Sequence, residues 1–173
     1  MEASIYTIRK NFLIPLGLAV LLSFILLASA FFLQLPMVKI IILVGFLLPI
    51  CVIFAESSLR KVYVTDNAVE VKKIFRRKHL DYADLTAIDI IQVRKRIFVS
   101  LSSEEDFMIL SNSYDQFGLL LKQLLDKVPE TVISDETRQL AENPPKRCSD
   151  IFSAWLAVAV LTLIVYVQLR GVF

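Results

Sequence analysis

Residues 11–34 carry no charged side chain over 24 consecutive positions. A helix rises about 1.5 Å per residue, so this run is long enough to cross a hydrocarbon core of about 30 Å. Basic residues precede it, as in a signal peptide, but it is too long for a signal-peptide core. A second apolar run, residues 37–55, follows at once, interrupted only by Lys39 near its start, which can snorkel to an interface. Leu35-Pro36 separates the two, because proline removes a helix N–H and disfavours helix at the residue before it. The expectation is a tight hairpin of two transmembrane helices. A third apolar run covers residues 151–169, with Ser149-Asp150 expected to cap it and Arg170 at its far end. Its Trp155 and Tyr166 fall near the two interfaces, where amphipathic rings prefer to be. A hydrophobic share of 56% agrees with a membrane protein.

The flanking charges predict an orientation. Arg9 and Lys10 precede the first run, Arg60 and Lys61 follow the second, and Lys146 and Arg147 precede the third. The opposite side offers Lys39 and Arg170 alone. The positive-inside rule then places the N-terminus and the segment between the second and third runs in the cytoplasm of a cytoplasmic (inner) membrane, with Phe173 outside. Cys51 and Cys148 form no framework and are expected to be free thiols, in keeping with a reducing cytosolic face. No Asp, Glu, Lys, Arg or His lies deep in either of the first two runs, which argues against a proton or ion pathway. Gly17, Ala28, Ala30 and Gly45 are small residues at which helices can pack closely, and Pro49 is positioned to kink the second helix.

Four segments follow: residues 1–58 with the hairpin, a soluble domain at 59–128, a polar linker at 129–150 stiffened by Pro144-Pro145, and a final span with a short tail at 151–173. In the soluble domain, residues 61–65 and 68–74 alternate in polarity about the turn pair Asp66-Asn67, a hairpin signature. Residues 76–82 and 85–93 read as two further strands. Residues 96–101 and 107–110 flank Ser102-Ser103-Glu104-Glu105-Asp106 as a second hairpin. The period then changes: Phe117, Leu120, Leu121, Leu124 and Val128 recur at helical spacing, and Ser113 and Gln116 stand at capping-box spacing. The predicted core includes Val64, Val71, Ile88, Val99, Ile109, Leu120 and Leu124. About six strands and one helix make an α+β domain, an antiparallel sheet or small barrel closed by a C-terminal helix.

The stretch Val62-Tyr-Val-Thr-Asp-Asn-Ala-Val-Glu-Val, the basic hairpin after it, and His79-Leu-Asp-Tyr-Ala-Asp-Leu-Thr-Ala-Ile resemble the bacterial pleckstrin-homology-like family of small membrane proteins. The resemblance covers about 70 residues from position 60 to 128. It implies a pleckstrin-homology-like (PH-like) barrel capped by a helix, beside a transmembrane hairpin, without enzymatic activity. The third span is unusual for that family.

The most conspicuous local chemistry is Lys72, Lys73, Arg76, Arg77 and Lys78, five cations at one strand turn. Converging cations suit a phosphate cluster or an anionic leaflet; a charged hairpin edge guarded against aggregation is the plainer alternative. Residues 60–96 hold ten Lys and Arg against five acids, and residues 97–142 hold three against nine, a polarity suited to orienting the domain. His79 is the single histidine, and no metal-ligand spacing, catalytic constellation or glycine-rich phosphate cradle is present. No catalytic, metal or cofactor-binding residue is expected, and the aromatic-with-basic face of a nucleic-acid binder is missing. The functional expectation is a non-enzymatic integral membrane protein, an interaction, assembly or accessory subunit that presents its domain at the inner leaflet. Its expected partners are membrane lipids and other membrane-protein subunits or copies of itself. An anionic-lipid-sensing module and a transporter component are the alternatives.

Overall fold

The computed structural model describes residues 4–93, 96–133, 137 and 149–170. It is α+β, with two antiparallel sheets and, among the described residues, four α-helices, of which three are long and apolar. The chain divides into two compact units. One comprises Met1–Arg9 and Leu59–Arg147, the other Lys10–Ser58 and Cys148–Phe173.

The first unit holds both sheets. Strands β1 (Ser4–Thr7), β2 (Lys61–Val64), β3 (Ala68–Lys72) and β4 (Arg77–Asp81) pair in that order. Strands β5 (Leu85–Val93), β6 (Arg96–Ser103) and β7 (Phe107–Ser111) form the second sheet, and neither sheet closes on itself. β1 belongs to a stretch that its sequence marks only as a short mixed flank. Four residues are too few to display a period, and the strand is defined by its partner: Tyr6 faces Val62 and Ile5 faces Tyr63. Tyr6 turns into the core and Ile5 turns out. At the β2–β3 turn Thr65 Oγ1 donates to Ala68 O at 2.8 Å and accepts from Ala68 N at 3.1 Å. Both hydrogen bonds fasten the Asp66-Asn67 reversal.

The core lies between the sheets and is closed by α3 (Phe117–Lys127), whose Phe117, Leu120, Leu121 and Leu124 are buried. Val64, Val71, Ile88 and Val99 are buried as their alternation requires. Ile109 is not: it is 47% exposed, while Met108 and Leu110 are inside. Residues 107–110 are all apolar, so the segment has no alternation of its own. Its parity is imposed by β6, where Leu101 faces Met108 and Val99 faces Leu110. The capping box also fails to form. Gln116 occupies the N-cap position in the left-handed region (φ 49°) and makes no side-chain cap, and the Ser113 hydroxyl accepts from Ser111 instead. The far end of α3 is tied down by Lys127, which donates to Thr65 O and to Asp66 Oδ1, both at 2.9 Å. Beyond α3, Thr137 Oγ1 donates to Ile88 O and accepts from Ile90 N, each at 3.2 Å.

The second unit holds α1 (Lys10–Phe32), α2 (Met37–Leu59) and α4 (Ser149–Arg170). The break between α1 and α2 is a helix stop in its own right. Gln34 is left-handed (φ 49°), Leu35 N–H donates to Ala30 O, and Gln34 N–H donates to Phe31 O. That bond pair satisfies carbonyls the helix end would leave orphaned, and Pro36 prevents continuation. The expected tight hairpin is not the main packing, because α1 packs chiefly on α4. Pro15, Ala19, Ser23, Leu26 and Ala30 form a buried stripe on α1, whereas in α2 Ile40 and Leu47 alone are buried. Gln168 Nε2 donates to Ser29 Oγ across the α1–α4 contact at 2.9 Å. Ser149 and Asp150, expected to cap α4, are its first residues, and Asp150 sits favourably in the positive first turn. Cys51 is free. Pro144-Pro145, Lys146, Arg147, Cys148 and Phe173 lie outside the described residues.

Candidate functional site

β1 runs towards α1, and β2 begins two residues after α2 ends, so the chain leaves and re-enters the sheet at one end. The register places Thr7, Lys61, Lys72 and Arg77 side by side in the last rung at that end. Like charges directly opposite one another across strands are destabilising, and here three stand in a row. The next rung outward-facing on the same side, Tyr63–Glu70–His79, contributes a single carboxylate. The β3–β4 turn projects beyond the cationic rung and is closed by Lys73 N–H donating to Arg76 O at 2.8 Å. At its tip Phe75 is 93% exposed, bracketed by Ile74 and Arg76.

Strand alternation divides the five predicted cations into two sets. Lys72 and Arg77 face outward with Lys61. Lys73, Arg76 and Lys78 have the parity of the core residues Val71 and Leu80, and continue the inner face past the point where the apolar core ends. There they line a cleft of about 260 Å³ with Arg60, Val71, Phe98, Phe107, Met108, Ile109 and Ser111. Lys78 is fixed in this wall. Its ammonium donates to Asp106 Oδ1 and to Phe107 O, and lies 4.8 Å from the centroid of the Phe107 ring. Asp106 also accepts from Phe107 N–H at 2.8 Å, and these donors hold its carboxyl below the usual carboxylate range. The pair bridges the edge strands of the two sheets.

Arg60 joins the set only in the structure, because from sequence alone its charge reads as the flank of a span. The signal was available, because residues 60, 62 and 64 share one parity and Val62 and Val64 are wholly buried. Its guanidinium carbon lies 5.7 Å from the centroid of the Tyr114 ring, and its Nε is buried without a hydrogen-bond partner. A buried donor left unsatisfied costs about 1–3 kcal/mol. Phe75 falls between the strands expected at 68–74 and 76–82, and the exposure of its ring at the tip is what the sequence alone does not give.

The remaining candidates are dispersed. His79 Nε2 lies 3.3 Å from Asp81 Oδ1 on an open surface, and no group of three or more His, Cys, Asp or Glu among the described residues could hold a metal ion. Of the four small residues in the spans, Ala30 is buried and Gly17 lies beneath the Phe54 ring, 3.2 Å from where a Cβ would stand. Ala28 is exposed, and Gly45 is exposed with nothing within 4 Å of its Cβ position. No protein-family model, curated protein or solved structure matches this chain.

Proposed function

We propose that this protein is a non-enzymatic, membrane-anchored interaction module whose soluble unit rests on the anionic inner leaflet by its cationic sheet end. The observation that carries the reading is the Lys61–Lys72–Arg77 rung with Phe75 exposed beyond it. Three adjacent cations that repel one another gain most from a surface of opposite sign, and each Lys or Arg near an anionic leaflet contributes about 1 kcal/mol. An aromatic ring beside them suits the headgroup zone. Chain connectivity supports the placement, because this rung is the one joined through Arg9 and Arg60 to two candidate spans. Three spans with the basic flanks on one side give an N-in, C-out topology. Sheets of four and three strands closed by α3 are compatible with a PH-like domain, with β1 as the strand that precedes the hairpin.

The test is hydrogen exchange of the full-length protein in lipid nanodiscs. Residues 72–77 are expected to be protected in discs containing anionic phosphatidylglycerol and to lose that protection in zwitterionic discs, in high salt, or when Lys61, Lys72 and Arg77 become Gln. Equal exchange in all four states removes the reading.

A second reading, assembly with other spans, rests on α2. Of its 23 residues, Ile40 and Leu47 alone are buried, and Gly45 opens onto empty space. Helices in lipid associate by close fit at such positions. Native mass spectrometry from nanodiscs reads the outcome: a Gly45→Leu variant shifts an oligomer towards monomer, and a wild-type monomer excludes it.

A further inference from the structure

The three long helices enclose a groove of about 500 Å³ that the leaflet contact leaves unused. We infer that this groove holds one acyl chain of an anionic phospholipid, inserted from the end of the bundle that carries Lys10. The inference rests on the membrane-anchored reading above. It is independent of the cationic rung and of Gly45, which is not among the groove walls.

Each helix supplies one continuous face. On α2, Leu43, Phe46, Leu47 and Ile50 stand at i, i+3, i+4 and i+7, which puts them on one side of the helix. On α4, Ser153, Ala157, Val160 and Ile164 keep the same spacing, and α1 adds Ser23 and Leu26. α1 packs on α4, while the Phe46 ring on α2 stays 71% exposed and Val160 and Ile164 on α4 stay 50% and 43% exposed. An apolar hollow with such walls stays dry and accepts apolar guests. In its depth the Ser23 hydroxyl is turned to its own helix, donating to Ala19 O at 2.8 Å.

Width decides between the two apolar occupants a bilayer offers, a helix and a lipid chain. Ser153 and Ile164 lie about 16 Å apart along the α4 axis, at 1.5 Å per residue. Spread over that length, about 500 Å³ makes a channel roughly 6 Å across. A helix with its side chains measures about 10–12 Å and does not enter. A methylene chain, whose carbons meet their neighbours at about 4 Å, does. The ends of the groove differ. At one it reaches Ser153, four residues into α4; at the other, Leu26, Leu43 and Ile164 each stop six residues short of their helix ends. The chain therefore enters at the Ser153 end. In the sequence flanking that end Arg9, Lys10, Arg60, Lys61, Lys146 and Arg147 outnumber Glu56 and Asp150, which favours an anionic headgroup there.

The test uses full-length protein in phosphatidylcholine liposomes, with a phosphatidylglycerol probe carrying a diazirine midway along one acyl chain. Alkaline carbonate extraction comes first: release of the protein from the bilayer removes the membrane-anchored reading and the groove with it. After irradiation, adducts at Phe46, Val160 and Ile164 are expected to be at least fivefold more frequent than at Ile41 and Val52. Those two are 67% and 61% exposed and lie outside the groove. Ala157→Phe fills the groove and lowers labelling of Phe46 at least fivefold. Ala159→Phe, the same change at an exposed position of α4 outside the groove, leaves it within twofold. Val160→Phe repeats the filling test should Ala157→Phe fail to insert. Changing Lys61, Lys72 and Arg77 to Gln leaves groove labelling within twofold, so loss of the leaflet contact and loss of the groove read differently. A phosphatidylcholine probe with the same chain, at equal mole fraction, labels the groove at least threefold less; equal labelling overturns the anionic assignment. Even labelling of all exposed faces, or labelling indifferent to both filling variants, overturns the site. A dimer in native mass spectrometry that Ala157→Phe dissociates gives the groove to a helix of a second copy and overturns the lipid.

Discussion

The Tyr6 hydroxyl donates a 2.7 Å hydrogen bond to Gln123 Oε1, linking a strand that precedes α1 and α2 to the helix that follows the last strand. The first unit is therefore stitched from chain segments on both sides of α1 and α2. Arg9 N–H donating to Ser113 O and Asp115 N–H donating to Thr7 O extend the same seam. Removing the phenol hydroxyl leaves Gln123 without its partner, so Tyr6→Phe is expected to lower stability by about 1 kcal/mol. Truncation to Tyr6→Ala costs about 3–5 kcal/mol by analogy with other buried aromatics. Hydrogen exchange of β2 and β3 amides in the full-length protein measures both. If Tyr6→Ala leaves those amides unchanged, β1 is not part of the cooperative unit.

The β7 register gives a sharp contrast between neighbours. Met108 is 2% exposed and Ile109 is 47% exposed. Met108→Asp and Leu124→Asp each bury an unpaired charge and should abolish protease resistance of the unit that holds the two sheets. Ile109→Asp should leave it within about 0.5 kcal/mol of wild type, as surface substitutions usually do. Comparable damage from positions 108 and 109 would contradict the assigned register.

Acid should loosen the seams between turns. Lys127 holds the Asp66 carboxyl below its ordinary value, and Lys78 does the same for Asp106. A carboxylate with a depressed folded-state pKa contributes stability that is full above its unfolded value and is lost as pH falls through the folded one. The loss therefore falls below about pH 4. Both carboxylates are exposed, so the effect is small and salt-sensitive. Lys127→Met and Lys78→Met together should flatten this acid limb of a thermal-shift profile while leaving the profile near neutral pH parallel to wild type. An unchanged acid limb in that double variant would assign the dependence to other groups.

Topology can be read at Asp115, which is exposed between β7 and α3. In a background with Cys51 and Cys148 replaced by Ser, Asp115→Cys should react with a membrane-impermeant maleimide only after the cells are opened. Labelling in intact cells would reverse the N-in assignment.

Much of the architecture was legible in the sequence, for reasons the residues make plain. Long uncharged runs have one solution in lipid, and the polar alternation in β2 and β3 and the period of α3 are strong signals. What failed was set by partners rather than by local pattern. β1 is four residues long and exists because β2 pairs with it. Ile109 sits in a uniformly apolar stretch whose facing is dictated by Ser100 opposite it. Gln116 takes the left-handed conformation where the chain, already tied to Arg9 through Ser113 and to Thr7 through Asp115, enters α3. At the candidate site the cationic cluster was visible, but its division into two faces required the register, and Arg60 joined it only when β2 was extended backwards by one step of two.

The central claim is that the cationic sheet end rests on an anionic leaflet with Phe75 at the contact. A spin label at Phe75→Cys, in the full-length Cys51→Ser, Cys148→Ser protein in nanodiscs, reports this through its relative accessibility to oxygen and to a water-soluble nickel chelate. The account predicts a headgroup-depth signature in phosphatidylglycerol discs that reverts to an aqueous one when Lys61, Lys72 and Arg77 are changed to Gln. An aqueous signature for the unaltered rung on an anionic membrane would contradict it.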